Sequence, residues 1–180
     1  MRVLLVGGMR SGKSREAERR LADASAVTYL ASGGTDEGDA EWTARVAAHR
    51  ARRPASWRTV ETLDVAAHLQ RATGDDPPVL WDCVNAWLAR VMAEVGCWTV
   101  DGVDRAAAAA LARRVDEVVA AWKEAAVEAI AVTNEVGMAL VPTTPSGRWF
   151  AEELGDLNRR LAEVSDEVWQ VTVGIATRLR

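Results

Sequence analysis

Short apolar runs alternate along the chain with longer charged or amphipathic segments. The run over residues 3–6 contains only Val and Leu and is followed by two glycines, which is typical of a buried parallel strand. Similar runs predict further strands over residues 27–31, 77–82, 129–133 and 167–173. The segments between them predict helices over residues 14–21, 40–52, 85–95, 104–126 and 148–164. The helix over 40–52 must end before Pro54, whose ring disfavours helical geometry at the preceding residue.

Strands that alternate with helices predict parallel βαβ units. The expected fold is therefore α/β, with a mostly parallel central sheet and helices on both faces. The 180 residues show no internal repeat, long linker or clear domain boundary, so we expect one domain over residues 1–180.

Composition narrows the functional classes only a little. A hydrophobic fraction of 49% and a charged fraction of 27% are ordinary for a globular protein. The net charge of −4 argues against general binding to nucleic acid or anionic membranes, although a local basic patch is compatible with it. Two cysteines make neither a disulfide framework nor a metal knuckle, and no apolar stretch is long enough to insert stably in a membrane. We expect a cytoplasmic protein.

The first strand leads into a glycine-rich segment that matches the P-loop pattern G-x-x-x-x-G-K-[ST]. The match rests on Gly7, Gly12, Lys13 and Ser14. Glycines allow backbone N–H groups to approach phosphate oxygens, the lysine supplies a charge for the β and γ phosphates, and the serine hydroxyl is a Mg²⁺ ligand. The alternative is a strand-to-helix turn that binds nothing, but the flanking strand and helix favour a site for ATP or GTP. The predicted cradle comprises Gly7, Gly8, Met9, Arg10, Ser11, Gly12, Lys13 and Ser14.

Asp82 follows an apolar run at the expected end of a strand. Ligands of open α/β sheets bind at the carboxyl ends of strands, where a P-loop protein keeps the acid that holds Mg²⁺. The alternative role is to cap the helix that starts near Asn85.

His49 shares a predicted helix face or its continuation with Arg45, Arg52 and Arg53. Guanidinium groups bind polyphosphate well and oppose protonation of a neighbouring imidazole, and a neutral imidazole can attack phosphorus. Spacing alone favours a plainer role, in which His49 lies in the last turn of its helix and its positive charge interacts favourably with the helix dipole. The other histidine, His68, lies in an amphipathic segment and is interpreted as structural or exposed.

Taken together, these features resemble the bifunctional adenosylcobinamide kinase/adenosylcobinamide-phosphate guanylyltransferase family of cobalamin biosynthesis. The resemblance extends over nearly the whole chain and rests on residues 7–15, 29–32, 45–57, Glu61, 82–83, 132–142, 148–150 and 157–162. It implies that ATP or GTP phosphorylates adenosylcobinamide, and that GTP then donates GMP to give adenosylcobinamide-GDP and pyrophosphate. It also implies a homo-oligomer, in the family a trimer.

The resemblance also assigns roles to individual residues. It implies that the guanylyl group passes through His49, while Lys13 and Mg²⁺, held by Ser14 and Asp82, stabilise the departing pyrophosphate. The nucleotide site would further include Ser32, Gly33, Gly34, Arg50, Ala51, Arg52, Arg53, Glu61 and Asp82. We expect Glu61 to accept hydrogen bonds from guanine, which adenine would not supply. Asn134 and Glu135 follow a strand and either contact substrate or cap the next segment.

Two departures from the family pattern affect these assignments. The family often has a second histidine where this chain has Ala48, which leaves His49 as the only histidine of the stretch. The strand-end acid is often Glu and is Asp82 here. Two other functions stay open. One is a kinase in which His49 only binds phosphate. The other is a GTP-dependent binding switch, which would require a guanine-binding N-K-x-D segment that the sequence lacks.

Overall fold

The computed structural model describes residues 1–34, 40–98, 104–138 and 140–180. Within these residues the strands are β1 (Arg2–Gly7), β2 (Val27–Ala31), β3 (Trp57–Glu61), β4 (Val79–Asp82), β5 (Ala129–Asn134), β6 (Glu167–Thr172) and β7 (Ile175–Arg178). The helices are α1 (Lys13–Arg20), α2 (Ala40–Arg52), α3 (Val65–Arg71), α4 (Val84–Glu94), α5 (Arg105–Glu124) and α6 (Pro145–Glu163).

The strands form a seven-stranded sheet in the order β3-β2-β4-β5-β1-β6-β7. Every neighbouring pair is parallel except β6 and β7, which form an antiparallel hairpin at one edge. The prediction of an α/β fold with a mostly parallel sheet is confirmed.

Alternate residues of each central strand enter two separate apolar clusters, one on each face of the sheet. Leu4 and Trp81 belong to a cluster that packs against α3, α4, α5 and α6. Leu5 and Leu80 belong to the other cluster, which packs against α1. Burial on both faces explains why these strands are continuous apolar runs in the sequence.

Four elements differ most from the sequence-based expectation, and one of them is the helix α3, whose segment is interpreted from the sequence only as amphipathic. The strands β3 and β7 were not predicted, because they lie at the two edges of the sheet and carry few buried apolar residues. In β3 only Trp57 is buried, and β7 has no buried residue. The helix α6 begins at Pro145, three residues before the predicted start, because the Thr144 side chain accepts a hydrogen bond from Gly147 N at 3.1 Å and proline suits the first helical position.

The parallel arrangement gathers the carboxyl ends of six strands at one edge of the sheet. Gly7 lies opposite Asn134, while Ala31 lies opposite both Glu61 and Asp82. The loops that follow these strands therefore share one side of the molecule, which is where an open α/β sheet binds its ligands. No helix among the described residues is long and apolar enough to cross a membrane.

Candidate active site

The P-loop connects β1 to α1 and is held by backbone hydrogen bonds. Ser11 N donates to Gly8 O at 3.2 Å, and Gly174 N, from the β6–β7 turn, donates to Ser11 O at 2.8 Å. Gly12 is the N-cap of α1 and adopts a φ of 99°, a conformation that favours glycine. Because Gly12 has no side chain, the N-cap residue does not occupy the first N–H groups of α1, and this helix end suits an anion.

Lys13 begins α1 and is buried, with 8% of its surface exposed. Its Nζ donates to Gly8 O at 2.9 Å, so the ammonium group is held against the P-loop backbone. Burial lowers the pKa of Lys13 from its usual value, whereas the nearby Cys83 and Asp82 act in the opposite direction. The lysine is thus a desolvated cation next to a carboxylate, inside a loop shaped for phosphate.

Asp82 ends β4 and accepts a hydrogen bond from the Tyr29 hydroxyl, with 3.0 Å between Oη and Oδ2. The N-cap of α4 is Cys83, whose side chain makes no capping bond, so α4 begins without the aspartate as its N-cap. Burial, together with the charge of Asp82, raises the pKa of Tyr29, and the phenol therefore stays a hydrogen-bond donor. The structure thus favours the interpretation that Asp82 faces the site over the alternative that it caps α4.

The predicted arginines lie in the last turn of α2 or, for Arg53, directly after it, and they make different contacts. Arg53 lies over the Tyr29 ring at 3.7 Å from its centroid, and its Nη1 donates to Thr59 Oγ1 at 2.9 Å. Arg52 pairs with Glu18 at 3.1 Å, which joins α2 to α1. Arg50 pairs with Glu61 at 3.1 Å; the Arg50 side chain is largely exposed and that of Glu61 is about half exposed.

A cleft of about 700 Å³ lies at this edge of the sheet. Most of the predicted site residues line it: Met9, Arg10, Ser11, Gly12, Lys13, Ser14, Gly33, Gly34, Arg52, Arg53, Glu61 and Asp82. The volume is in the range of pockets that bind small ligands. The residues predicted from separate parts of the sequence are therefore brought together at one cleft.

Five predicted residues are not among those that line the cleft: Gly7, Gly8, Ser32, Arg50 and Ala51. Ser32 is fully buried, and its hydroxyl accepts a hydrogen bond from Trp81 Nε1 at 3.0 Å. Its carbonyl accepts from Arg90 Nη1 at 3.3 Å, so Ser32 fixes the start of the glycine segment that does line the cleft. The roles assigned to all these residues stay predictions.

Several further residues line the cleft, although no sequence motif assigned a role to them. These are Arg15, Tyr29, Ala31, Val46, Ala48, Cys83, Asn85 and Ala86; Asn134, for which two roles were open, also lines the cleft. In the sequence, Tyr29 occupies an apolar position of a predicted buried strand. No local pattern indicates its contact with Asp82, which is 53 residues away. The Cys83 thiol is a poor nucleophile, because burial raises its pKa to about 12.

The backbone of His49 lies in α2, but the side chains of His49 and Arg45 fall outside the described part of the structure. Val46 and Ala48, on the same helix, both line the cleft, and so does Arg52. The last turns of α2 therefore border the P-loop cleft.

The described side chains include no group of three or more His, Cys, Asp or Glu that could hold a metal ion. Mg²⁺ differs from zinc in this respect, because it binds through one or two protein oxygens together with water and substrate phosphates. Ser14 and Asp82 line the same cleft beside the P-loop and supply oxygen ligands of this kind.

Comparison with known proteins gives a full-length match. The model of the family described as cobinamide kinase / cobinamide phosphate guanyltransferase matches residues 3–179. The chain is 34% identical over 189 residues to the bifunctional adenosylcobalamin biosynthesis protein CobU of Escherichia coli (strain K12), with 100% of both chains covered. It is 36% identical over 182 residues to the bifunctional adenosylcobalamin biosynthesis protein CobP of Pseudomonas aeruginosa, covering 100% of this chain and 98% of the relative.

Among solved structures, a prototypical ATPase from the type III secretion system of pathogenic bacteria aligns with a TM-score of 0.56. The alignment covers 98% of this chain and 56% of that one, at 12% sequence identity. This likeness supports the P-loop NTPase fold and carries no information on the reaction.

Proposed function

The chain belongs to the cobinamide kinase / cobinamide phosphate guanyltransferase family and acts in adenosylcobalamin biosynthesis with both activities, and we propose that its guanylyl transfer proceeds through His49. Family membership decides against the two other functions considered from the sequence. The relatives are bifunctional, which a kinase-only enzyme or a GTP-dependent switch would not be.

The position of residue 49 on α2 is the observation that carries this proposal. An α-helix turns by about 100° per residue, so position 49 falls between positions 52 and 46 around the circumference of α2. Positions 46, 48 and 52 all line the cleft. Residue 49 therefore lies in the middle of the helix arc that borders the nucleotide cleft.

The proposed reaction has two displacements at the α-phosphorus of GTP. A neutral imidazole nitrogen of His49 forms a bond to this phosphorus while the bond to the bridging α–β oxygen breaks, and pyrophosphate leaves. A phosphate oxygen of adenosylcobinamide phosphate then attacks the same phosphorus, the P–N bond breaks, and His49 is released. The product is adenosylcobinamide-GDP, and each displacement is simpler than a single direct transfer.

The P-loop is proposed to hold the triphosphate in both reactions. Backbone N–H groups of the loop and the first turn of α1 would bind the β and γ phosphates, and Lys13 would supply a cation that is already desolvated. Mg²⁺, held by Ser14 and Asp82, would neutralise charge on the phosphate oxygens. In the kinase step this arrangement serves ATP or GTP as the donor.

Glu61 is the proposed guanine-recognition residue. It ends β3, lines the cleft and is half exposed in its pair with Arg50. A carboxylate there accepts hydrogen bonds from N1–H and the exocyclic amine of guanine, whereas adenine has no donor at the first of these positions. Ser32, Gly33, Gly34 and residues 50–53 are proposed to complete the nucleotide site, by direct contact or by holding its walls.

A homo-oligomer, with three copies as the expected number, is proposed for the assembly. The edge strand β7 and its flanks present Val173, Ile175 and Leu179, which are 84%, 66% and 61% exposed. Apolar side chains on a sheet edge with unpaired backbone groups favour contact with another chain.

The test of the His49 route is covalent labelling. The purified protein is incubated with Mg²⁺ and GTP labelled at the α-phosphate, and is analysed on a denaturing gel beside His49→Ala and His68→Ala. We expect label on the wild type and on His68→Ala, lost in acid and stable in alkali, and no label on His49→Ala. An unlabelled wild type that demonstrably binds GTP would show that the His49 route is wrong, whatever the fate of the kinase step.

A further inference from the structure

Tyr29 stands between two parts of the active site that the sequence places far apart. It lies in the middle of β2, lines the cleft and is only 4% exposed. Its hydroxyl contacts Asp82 at the end of β4, and its ring contacts Arg53, the residue that follows α2. One buried side chain therefore contacts both the strand that carries the proposed metal ligand and the end of the helix that carries His49.

The hydroxyl contact fixes the orientation of the carboxylate. Tyr29 Oη donates to Asp82 Oδ2 at 3.0 Å, which engages one carboxylate oxygen and restricts rotation of the group. Hydrogen bonds from outer residues to carboxylate ligands orient them toward a metal, and losing such a bond typically costs about 10- to 100-fold in metal affinity.

The ring contact fixes the chain just beyond α2. The Arg53 guanidinium lies over the Tyr29 ring at 3.7 Å from the centroid, which is close enough for a cation–π interaction. Thr59 Oγ1 of β3 accepts from Arg53 Nη1 at 2.9 Å, so the guanidinium is held from two sides. Arg53 comes four residues after His49, and its position limits where the last turn of α2 can lie.

We propose that Tyr29 is a positioning residue for both halves of the guanylyl transfer. Its hydroxyl orients Asp82 toward Mg²⁺, and its ring anchors the end of α2 through Arg53, so that His49 is held against the α-phosphorus. The inference rests on the proposed roles of Asp82 and His49. It goes beyond them by assigning to Tyr29 a function that acts through its contacts with Asp82 and Arg53.

Two substitutions separate the two contacts. Tyr29→Phe keeps the ring and removes the hydroxyl, whereas Tyr29→Leu removes both. Binding of Mn²⁺, a spectroscopic substitute for Mg²⁺, is measured by electron paramagnetic resonance in the presence of a non-hydrolysable GTP analogue. The Mg²⁺ dependence and the rate of His49 labelling are measured on the same proteins, beside Asp82→Asn.

Tyr29→Phe is expected to weaken Mn²⁺ binding by about 10-fold or more, with a labelling rate that recovers at high Mg²⁺. Tyr29→Leu is expected to show the same weakening, and its labelling rate should stay about 10-fold or more below wild type at saturating Mg²⁺, because a displaced reacting group is not restored by metal.

Other outcomes overturn the proposal or its premise separately. If Asp82→Asn weakens Mn²⁺ binding and Tyr29→Phe does not, the positioning role is wrong while the metal role of Asp82 stands. A Tyr29→Phe protein with a lower thermal midpoint but wild-type Mn²⁺ affinity would show a purely structural tyrosine. If Tyr29→Leu labels as fast as Tyr29→Phe at saturating Mg²⁺, the anchoring of α2 is wrong. Normal Mn²⁺ binding by Asp82→Asn would instead refute the premise about Asp82.

Discussion

Lys13 is a buried cation of the P-loop. Its burial disfavours the charged form in the folded chain, but it also provides a desolvated cation for the proposed reaction. Burial lowers its pKa, which shows that the folded chain disfavours the charge. An apolar side chain of similar size at position 13 would avoid this desolvation cost, but it would lose the hydrogen bond from Nζ to Gly8 O.

The first prediction concerns Lys13→Met. Both the kinase rate and His49 labelling should fall by roughly 10²-fold or more, because the cation that stabilises the phosphate charge is lost. The thermal midpoint should change little, since the desolvation cost that is removed offsets the lost hydrogen bond to Gly8 O. Lys123→Met, on the exposed part of α5, is the matched control and should retain activity. Equal losses in both variants would contradict the assignment of Lys13.

The second prediction concerns the base that Glu61 reads. Glu61→Gln should reduce the preference for GTP over ATP in protein labelling by about 10-fold or more, because an amide presents a donor where guanine also presents donors. Stability should change little, since the Arg50–Glu61 pair is largely exposed. Competition between labelled GTP and unlabelled ATP measures the preference. An unchanged ratio would mean that guanine is read elsewhere.

Single residues were predictable from the sequence where a local pattern encodes their chemistry. Residues 9–14 of the P-loop and Asp82 follow apolar runs, and the structure brings them to one cleft. Tyr29 was not predictable, because its contacts with Asp82 and Arg53 depend on how β2, β4 and the end of α2 come together. Ser32 was expected at the nucleotide, and its hydroxyl is engaged by a tryptophan from the neighbouring strand.

At the scale of secondary-structure elements, the P-loop contacts the β6–β7 hairpin. Gly174 N, in the hairpin turn, donates to Ser11 O at 2.8 Å. A Cβ at Gly7 would overlap the Val171 carbonyl of β6 and would lie 2.6 Å from Ser11 Oγ. The hairpin thus packs against the P-loop on the side opposite β5. Because β6 approaches Gly7 so closely, position 7 has no room for a side chain.

The third prediction compares two neighbouring glycines. Gly7→Ala should lower the free energy of unfolding by about 1–3 kcal/mol, because the new methyl group must push β1 and β6 apart. Gly8→Ala is the control, since a Cβ there meets nothing within 4 Å, and its effect should stay within about 0.5 kcal/mol. Urea unfolding of both variants measures the difference. Similar values for the two would contradict the proposed close packing at Gly7.

Elements were predictable from the sequence in proportion to their burial. The central strands β1, β2, β4 and β5 are buried on both faces and gave continuous apolar runs. The edge strands β3 and β7 bury little and gave no such pattern. The early start of α6 depends on a capping bond from Thr144, which hydrophobic periodicity does not detect.

At the scale of the whole molecule, we propose that residues 1–180 fold as one domain. Both apolar clusters share the same sheet, and the strands of the cleft edge come from the first and the later parts of the chain. The active site therefore depends on the entire sheet and not on one contiguous segment.

The fourth prediction concerns the assembly. Light scattering on the wild type should give three times the mass of one chain, and Ile175→Lys should shift the mass toward one chain because a buried lysine opposes the contact at β7. Ile175→Val keeps an apolar edge and should leave the mass unchanged. A wild type that is monomeric, or an Ile175→Lys protein with unchanged mass, would contradict an interface at this edge.

The most direct test of the guanylyl-histidine route is a chase of the labelled enzyme. Protein labelled from GTP is freed of nucleotide, mixed with adenosylcobinamide phosphate and followed in a single turnover. We predict that the label leaves the protein and appears in adenosylcobinamide-GDP at least as fast as the overall reaction. Label that stays on the protein, or leaves more slowly than the overall reaction proceeds with GTP, would contradict His49 as an intermediate carrier.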